Sequence, residues 1–123
     1  MHLILGGKYQ GKLDYAKKLY GSFPAVCDLE HDSIITSGLI LNVHLGVRRL
    51  LAENKYAYEF FTSNLEVLRP SVIICDEICG GVVPSDAFER FWRDETGKIY
   101  QLLAHEAEIV DRIFAGLALR LKG

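Results

Sequence analysis

The sequence predicts an α/β chain built on a mainly parallel sheet flanked by helices, and three observations carry that expectation. A short apolar run, His2-Leu3-Ile4-Leu5, stops at Gly6-Gly7 and is followed by a stretch with Leu13, Ala16, Leu19 and Tyr20 on one side; this is the order strand, glycine loop, helix. A continuous apolar run rich in β-branched residues, Ser71-Val-Ile-Ile-Cys75, is bounded by Pro70 and by the acidic pair Asp76-Glu77. Such a run reads as a strand buried on both faces, central in a parallel sheet. Helix-like stretches follow the first apolar run and precede the central one, the order of a parallel βαβ start. At 123 residues the chain is expected to form one domain spanning 1–123.

The elements follow in order. Gly21-Ser-Phe-Pro24 ends the first helix, and Ala25-Val-Cys-Asp-Leu29 reads as a second short strand, because a proline can precede a strand but cannot continue a helix. Residues 30–38 are polar and mixed. Leu39-Ile-Leu41 is an apolar run too short for periodicity to separate strand from helix start. From about Val43 to Leu68 one helical face carries Val47, Leu50, Leu51, Tyr58, Phe61, Leu65 and Leu68, with a break or bend expected at Gly46 and Asn54, and Arg69-Pro70 ends it. Gly80-Gly81 and Pro84 mark a loop, Ser85 with Asp86 offers a cap for a helix over residues 86–106, and Glu108–Phe114 with Leu117–Leu121 read as closing strands parted by Gly116. The total is about five main strands.

Composition excludes several classes. With 14 Lys+Arg against 16 Asp+Glu the net charge is −2, which argues against a strongly basic nucleic-acid binder. No apolar run approaches the roughly 18 residues of a membrane span, and Met1 leads straight into a strand-like segment without a basic leader or cleavage site, so a cytoplasmic protein is expected. The three cysteines, Cys27, Cys75 and Cys79, match no common zinc spacing and read as buried reduced thiols, with a redox or metal role for Cys75-x3-Cys79 as the lesser alternative.

Two stretches carry chemistry. Gly6-Gly7-Lys8-Tyr9-Gln10-Gly11-Lys12-Leu13 fits G-x-x-x-x-G-K, with leucine where serine or threonine is usual. Backbone N–H groups in such a loop turn inward around a phosphate, the helix N-terminus adds positive potential, and Lys12 would reach the outer phosphates. The expectation is therefore a P-loop NTPase-like fold binding ATP or GTP through these eight residues. Leu13 removes the hydroxyl that completes the Mg²⁺ shell, so magnesium-dependent transfer is expected to be weakened or lost. The alternative is a glycine turn that merely joins strand to helix.

The second stretch is Asp76-Glu77, at the carboxyl end of the central strand, where ligands collect in an open α/β sheet. Either carboxylate would serve as a metal ligand, and Glu77 joins Lys12 as a candidate catalytic residue; the alternative is two solvated acids ending a strand. Among the histidines, His44 and His105 read as surface or boundary residues and His2 as incidental, while His31, beside Asp28, Glu30 and Asp32, retains a functional reading. Phe88, Phe91 and Trp92 at helical spacing read as core or subunit contact, and Phe60, Phe61 and Trp92 as a candidate assembly surface.

The strings Ile73-Ile-Cys-Asp-Glu-Ile-Cys-Gly-Gly-Val-Val-Pro84, Phe91-Trp-Arg-Asp-Glu-Thr-Gly97, Gln101-Leu-Leu-Ala104 and Ala115-Gly-Leu-Ala-Leu-Arg-Leu-Lys122 resemble the bifunctional adenosylcobinamide kinase/adenosylcobinamide-phosphate guanylyltransferase family of cobalamin biosynthesis. The resemblance covers residues 71–122 well and the loop at 3–19 moderately. It implies nucleotide-dependent phosphorylation of a corrinoid hydroxyl, guanylyl transfer through a histidine, and a trimeric homo-oligomer. Gly6, Gly11 and Lys12 match its phosphate loop, Glu77, Gly81 and Pro84 its following motif, and Arg93, Asp94, Gly97 and Gln101 its helix motif. Four positions depart from it: Leu13 for serine, Asn42 for the acidic residue ending the third strand, and Tyr100 and Asp76 for two asparagines. The segment carrying the guanylylated histidine is missing, with only His31 in its stump and no Arg-Pro after it. Three functions follow as expectations: a nucleotide binder with weakened or lost transfer, an active cobinamide-type kinase without guanylyl transfer, or a non-catalytic scaffold or regulatory subunit.

Overall fold

The computed structural model describes residues 1–78 and 86–123. Its elements are β1 (His2–Gly6), α1 (Lys12–Tyr20), β2 (Val26–Asp28), β3 (Leu39–Leu41), α2 (Val43–Ala52), α3 (Ala57–Ser63), α4 (Leu65–Leu68), β4 (Val72–Asp76), α5 (Ala87–Glu106), β5 (Ile109–Phe114) and β6 (Leu117–Lys122). They form one six-stranded sheet in the order β2-β3-β4-β1-β5-β6. All neighbours are parallel except the β5–β6 hairpin. β4 lies in the interior between β3 and β1, as its apolar run predicts, and the ambiguous Leu39–Leu41 run is a strand. The sequence estimate of about five strands becomes six, because the three-residue Leu39–Leu41 run, which periodicity left undecided, pairs with both β2 and β4.

Alternation along the strands sorts the core into two layers. Leu3, Ile40, Ile73, Cys75 and Val110 face α2–α5 and pack with Val43, Val47, Phe61, Ile99 and Leu103. Ile4, Leu39, Val72, Ile74 and Ile113 face the other way, toward Ala16 of α1. Burial of Cys75 in this core pushes its thiol well above the ordinary value, which makes it an inert core residue. Cys27 is likewise buried and free. Cys79, Gly80, Gly81, Val82, Val83, Pro84 and Ser85, including the Cys75-x3-Cys79 reading, the loop glycines and half of the proposed helix cap, lie outside the described residues. Asp86 does cap α5, its carboxylate accepting from the Glu89 N–H.

The long helical stretch departs from expectation. It is three helices, divided where Asn54 turns to φ 57° and again at Asn64, and Gly46 is no break at all. Gly46 lies inside α2, where a Cβ would stand 2.8 Å from the Cβ of buried Leu29; its missing side chain lets the helix pack on the segment after β2. Gly46→Ala is therefore expected to lower stability by about 1 kcal/mol, overpacking outweighing the helix propensity that alanine gains. A urea midpoint equal to or above that of the wild type overturns this. Phe61 is fully buried, so it belongs to the core and not to an assembly surface.

Candidate functional site

In a parallel sheet the carboxyl ends of the strands share one edge, and here that edge gathers Gly6, Asp28, Leu41 and Asp76. The glycine loop leaves β1 at this edge and enters α1, with Tyr9 at φ 61° and Gly11 at φ 98°. A positive φ suits glycine and strains tyrosine. The loop is tied down by the tip of the β5–β6 hairpin. The Ala115 N–H donates to Gln10 Oε1 at 2.6 Å and the Gly116 N–H to the Gln10 carbonyl at 2.9 Å. Ala115 and Gly116 both have positive φ, the two-residue turn that matches strand twist. The Ala-Gly pair that opens the last resemblance string is thus the clamp on the loop, a link between residues far apart in sequence.

Lys12 is buried, and its ammonium donates to the Gly7 carbonyl at 2.6 Å and pairs with Asp76 Oδ1 at 2.9 Å. Of the acidic pair, Asp76 therefore meets the lysine. The Glu77 carboxylate instead takes both Arg112 nitrogens, at 2.8 and 3.2 Å, while its backbone N–H donates to the Gly6 carbonyl. Tyr100, which stands where the resemblance expects asparagine, donates its hydroxyl to the Asp76 carbonyl at 2.7 Å and so fixes the strand end from α5.

His44, which reads from the sequence as a surface or boundary residue, is buried in α2 with Nε2 3.8 Å from Asp76 Oδ2. Burial lowers its pKa; Asp76 opposes that shift, and Lys8 and Lys12 add to it. Trp92 donates its indole N–H to the His44 carbonyl at 2.8 Å, and among the described residues His44 Nδ1 has no partner. Trp92 thus joins α5 to α2, helped by Arg48, whose guanidinium lies 4.8 Å from the Trp92 ring centre and 5.2 Å from that of Phe88. The signal that would have found His44 is its place just past the end of β3, at the edge where ligands collect.

Asn42, at φ 59°, donates to Asp28 Oδ1 at 2.9 Å. Asp28, Glu30 and His31 bring ligand atoms within 4.8 Å of one another, with His31 largely exposed. An open depression of about 450 Å³ is lined by Tyr9, Gly11, Lys12, Leu13, Asp14, Ile74 and Asp76. Gln101 and His105 lie elsewhere, lining a hollow on the outer face of α5.

The sheet order and loop position give a P-loop-like architecture, and a family model settles the relationship. The model of cobinamide kinase / cobinamide phosphate guanyltransferase matches residues 36–121. The chain belongs to this family. The match runs from just before β3 to the end of β6 and takes in Asp76, Glu77 and the hairpin clamp; the glycine loop lies ahead of it and is described by its own geometry. No curated protein matches the chain by sequence. Family membership associates this cobinamide kinase/guanyltransferase relative with nucleotide-dependent chemistry of cobalamin biosynthesis. Among the described residues no helix is long and apolar enough to cross a membrane.

Proposed function

We propose that this chain binds a nucleoside triphosphate, ATP or GTP, in the loop Gly6–Leu13, and that it retains phosphoryl transfer to a corrinoid alcohol only weakly and guanylyl transfer not at all. The observation that carries the reading is the buried Lys12 ammonium, poised between Gly7 and Asp76 at the mouth of an open depression. A cation held there by a carbonyl and one carboxylate can turn to the outer phosphates, while the loop amides and the N-terminus of α1 take the inner ones. Guanylyl transfer needs a nucleophile, and residues 29–38, which join β2 to β3, offer only the exposed His31 with no Arg-Pro after it.

A second reading, an active kinase, is favoured by Asp76. Mg²⁺ is commonly held by one or two carboxylates plus substrate phosphates and water, and Asp76 fits that role. Leu13 supplies no oxygen, and Glu77 is engaged by Arg112. When bound, the metal would neutralise charge developing on the transferred phosphoryl group. Thermal unfolding with ATP, GTP or tripolyphosphate, each with and without Mg²⁺, separates the readings. Stabilisation that changes little with Mg²⁺ supports the weak enzyme, stabilisation that requires it supports the kinase, and none with any of the three overturns both.

A further inference from the structure

We infer that His44 is a positioning residue that receives the Asp76 carboxylate when Lys12 turns to phosphate. This rests on the phosphate-site reading above and adds what that turn requires. Lys12 and Asp76 are a close pair, 2.9 Å from Nζ to Oδ1. The lysine reaches outer phosphates only by giving up part of that pair, and a partly buried carboxylate left without a partner carries a desolvation cost that weakens binding. A donor already standing beside Asp76 removes that cost.

His44 stands in that position. Its Nε2 faces Asp76 Oδ2, the oxygen that Lys12 does not hold, at 3.8 Å. This is about 1 Å beyond hydrogen-bond length, so the two are neighbours that a rotation of the carboxylate would join. One helix fixes the backbone on both sides, since Trp92 and Tyr100 of α5 donate to the His44 and Asp76 carbonyls. The movement therefore falls to side chains, and that of Asp76 is 19% exposed. The burial of His44 points the same way. It is among the buried residues of α2, and among the described residues its Nδ1 has no partner. A carboxylate facing Nε2 places the ring proton there, which leaves Nδ1 a bare acceptor whose desolvation nothing offsets. Leucine would fill the position without that cost. A polar ring held there is explained by what its other nitrogen does for Asp76.

The test is calorimetric titration of tripolyphosphate into the full chain, with and without Mg²⁺, for the wild type, His44→Leu, His44→Asn and His44→Gln, and for His44→Leu in an Asp76→Asn background. Without Mg²⁺ no metal substitutes for Lys12 at Asp76, and affinity should fall about tenfold in His44→Leu and in His44→Asn, whose amide ends near the place of Nδ1 and stops short of Asp76. His44→Gln, whose amide nitrogen takes the place of Nε2, should bind within about twofold of the wild type. In the Asp76→Asn background there is no carboxylate to receive, and His44→Leu should change affinity by less than about twofold. A histidine that only fills space would show neither the rescue by glutamine nor the dependence on Asp76. Equal affinity in the wild type, His44→Leu and His44→Asn overturns the inference. So does a loss that persists in the Asp76→Asn background, which would put His44 on the phosphate itself, and so does a wild type that binds only with Mg²⁺, where the metal is the partner Asp76 takes. Each of these leaves the phosphate site standing. A wild type that binds tripolyphosphate under neither condition overturns the phosphate site, and the role of His44 with it.

Discussion

Replacing Lys12 by alanine is expected to abolish stabilisation by ATP, GTP and tripolyphosphate alike. A ligand confined to the native state, at a hundredfold excess over its dissociation constant, stabilises by about 2.7 kcal/mol, which for a domain of this size raises Tm by about 10 °C. In the Lys12→Ala protein that rise should shrink to about 1 °C or less, because the ammonium that lines the depression among the described residues is gone. The unliganded variant should also be somewhat less stable, since Asp76 loses the partner 2.9 Å away. Lys12→Met keeps the buried stem, whose methylenes lie against Gly6, and isolates loss of charge from loss of packing. An undiminished nucleotide-induced rise in both variants would remove Lys12 from the site. Retention of binding with loss of Mg²⁺ dependence would place the lysine in transfer and not in affinity.

Asp111→Ala should damage the fold strongly. The Asp111 carboxylate is buried between β5 and α1. It receives the Tyr15 hydroxyl at 2.9 Å, lies 2.7 Å from His2 Nε2, and pairs with Arg120 of β6 at 2.5 Å; His2 in turn bonds the Tyr20 hydroxyl at 2.6 Å. His2, which reads from the sequence as incidental, is thus buried in a network joining β1, α1, β5 and β6. Removing one member of a buried charge network costs about 3 kcal/mol or more, a fall in Tm on the order of 10 °C. Burial by itself would raise the Asp111 pKa, but the bonds from Arg120, Tyr15 and His2 outweigh it and hold the carboxyl below its ordinary value. The sign follows from linkage. A depressed folded pKa contributes stability that is fully present above the unfolded value near pH 4, and that is lost as pH falls through the folded one. Asp111→Asn should therefore flatten the acid limb of stability against pH in that window, with little change of slope above it. An acid limb identical to that of the wild type would show that Asp111 is not its source.

The departures between sequence and structure have a common origin. Periodicity found β1, α1, β4, α5 and β5 because each buries residues of its own; β6, exposed along its whole length, followed from the Gly116 turn and the apolar residues beyond it. It missed the division of residues 43–68, where breaks at Asn54 and Asn64 depend on what α2–α4 pack against. It also credited Gly46 with flexibility when the residue serves a close approach to Leu29. His2 and His44 were misread because a polar residue on a half-buried element looks alike whether it faces solvent or a partner brought in from a distant segment.

By itself the sequence determined a parallel α/β fold, a glycine loop ending in Gly11-Lys12, an acidic pair closing the central strand and a C-terminal hairpin, all written in local pattern and turn chemistry. Only the tertiary structure decided which acid meets the lysine. Successive residues leave a strand toward opposite faces, so Asp76 and Glu77 part company, and the side on which α1 packs selects Asp76 for Lys12 and leaves Glu77 to Arg112. The same packing carries the Ala115–Gly116 turn to Gln10 and His44 to the strand ends. These are contacts between residues remote in sequence, which no local pattern encodes.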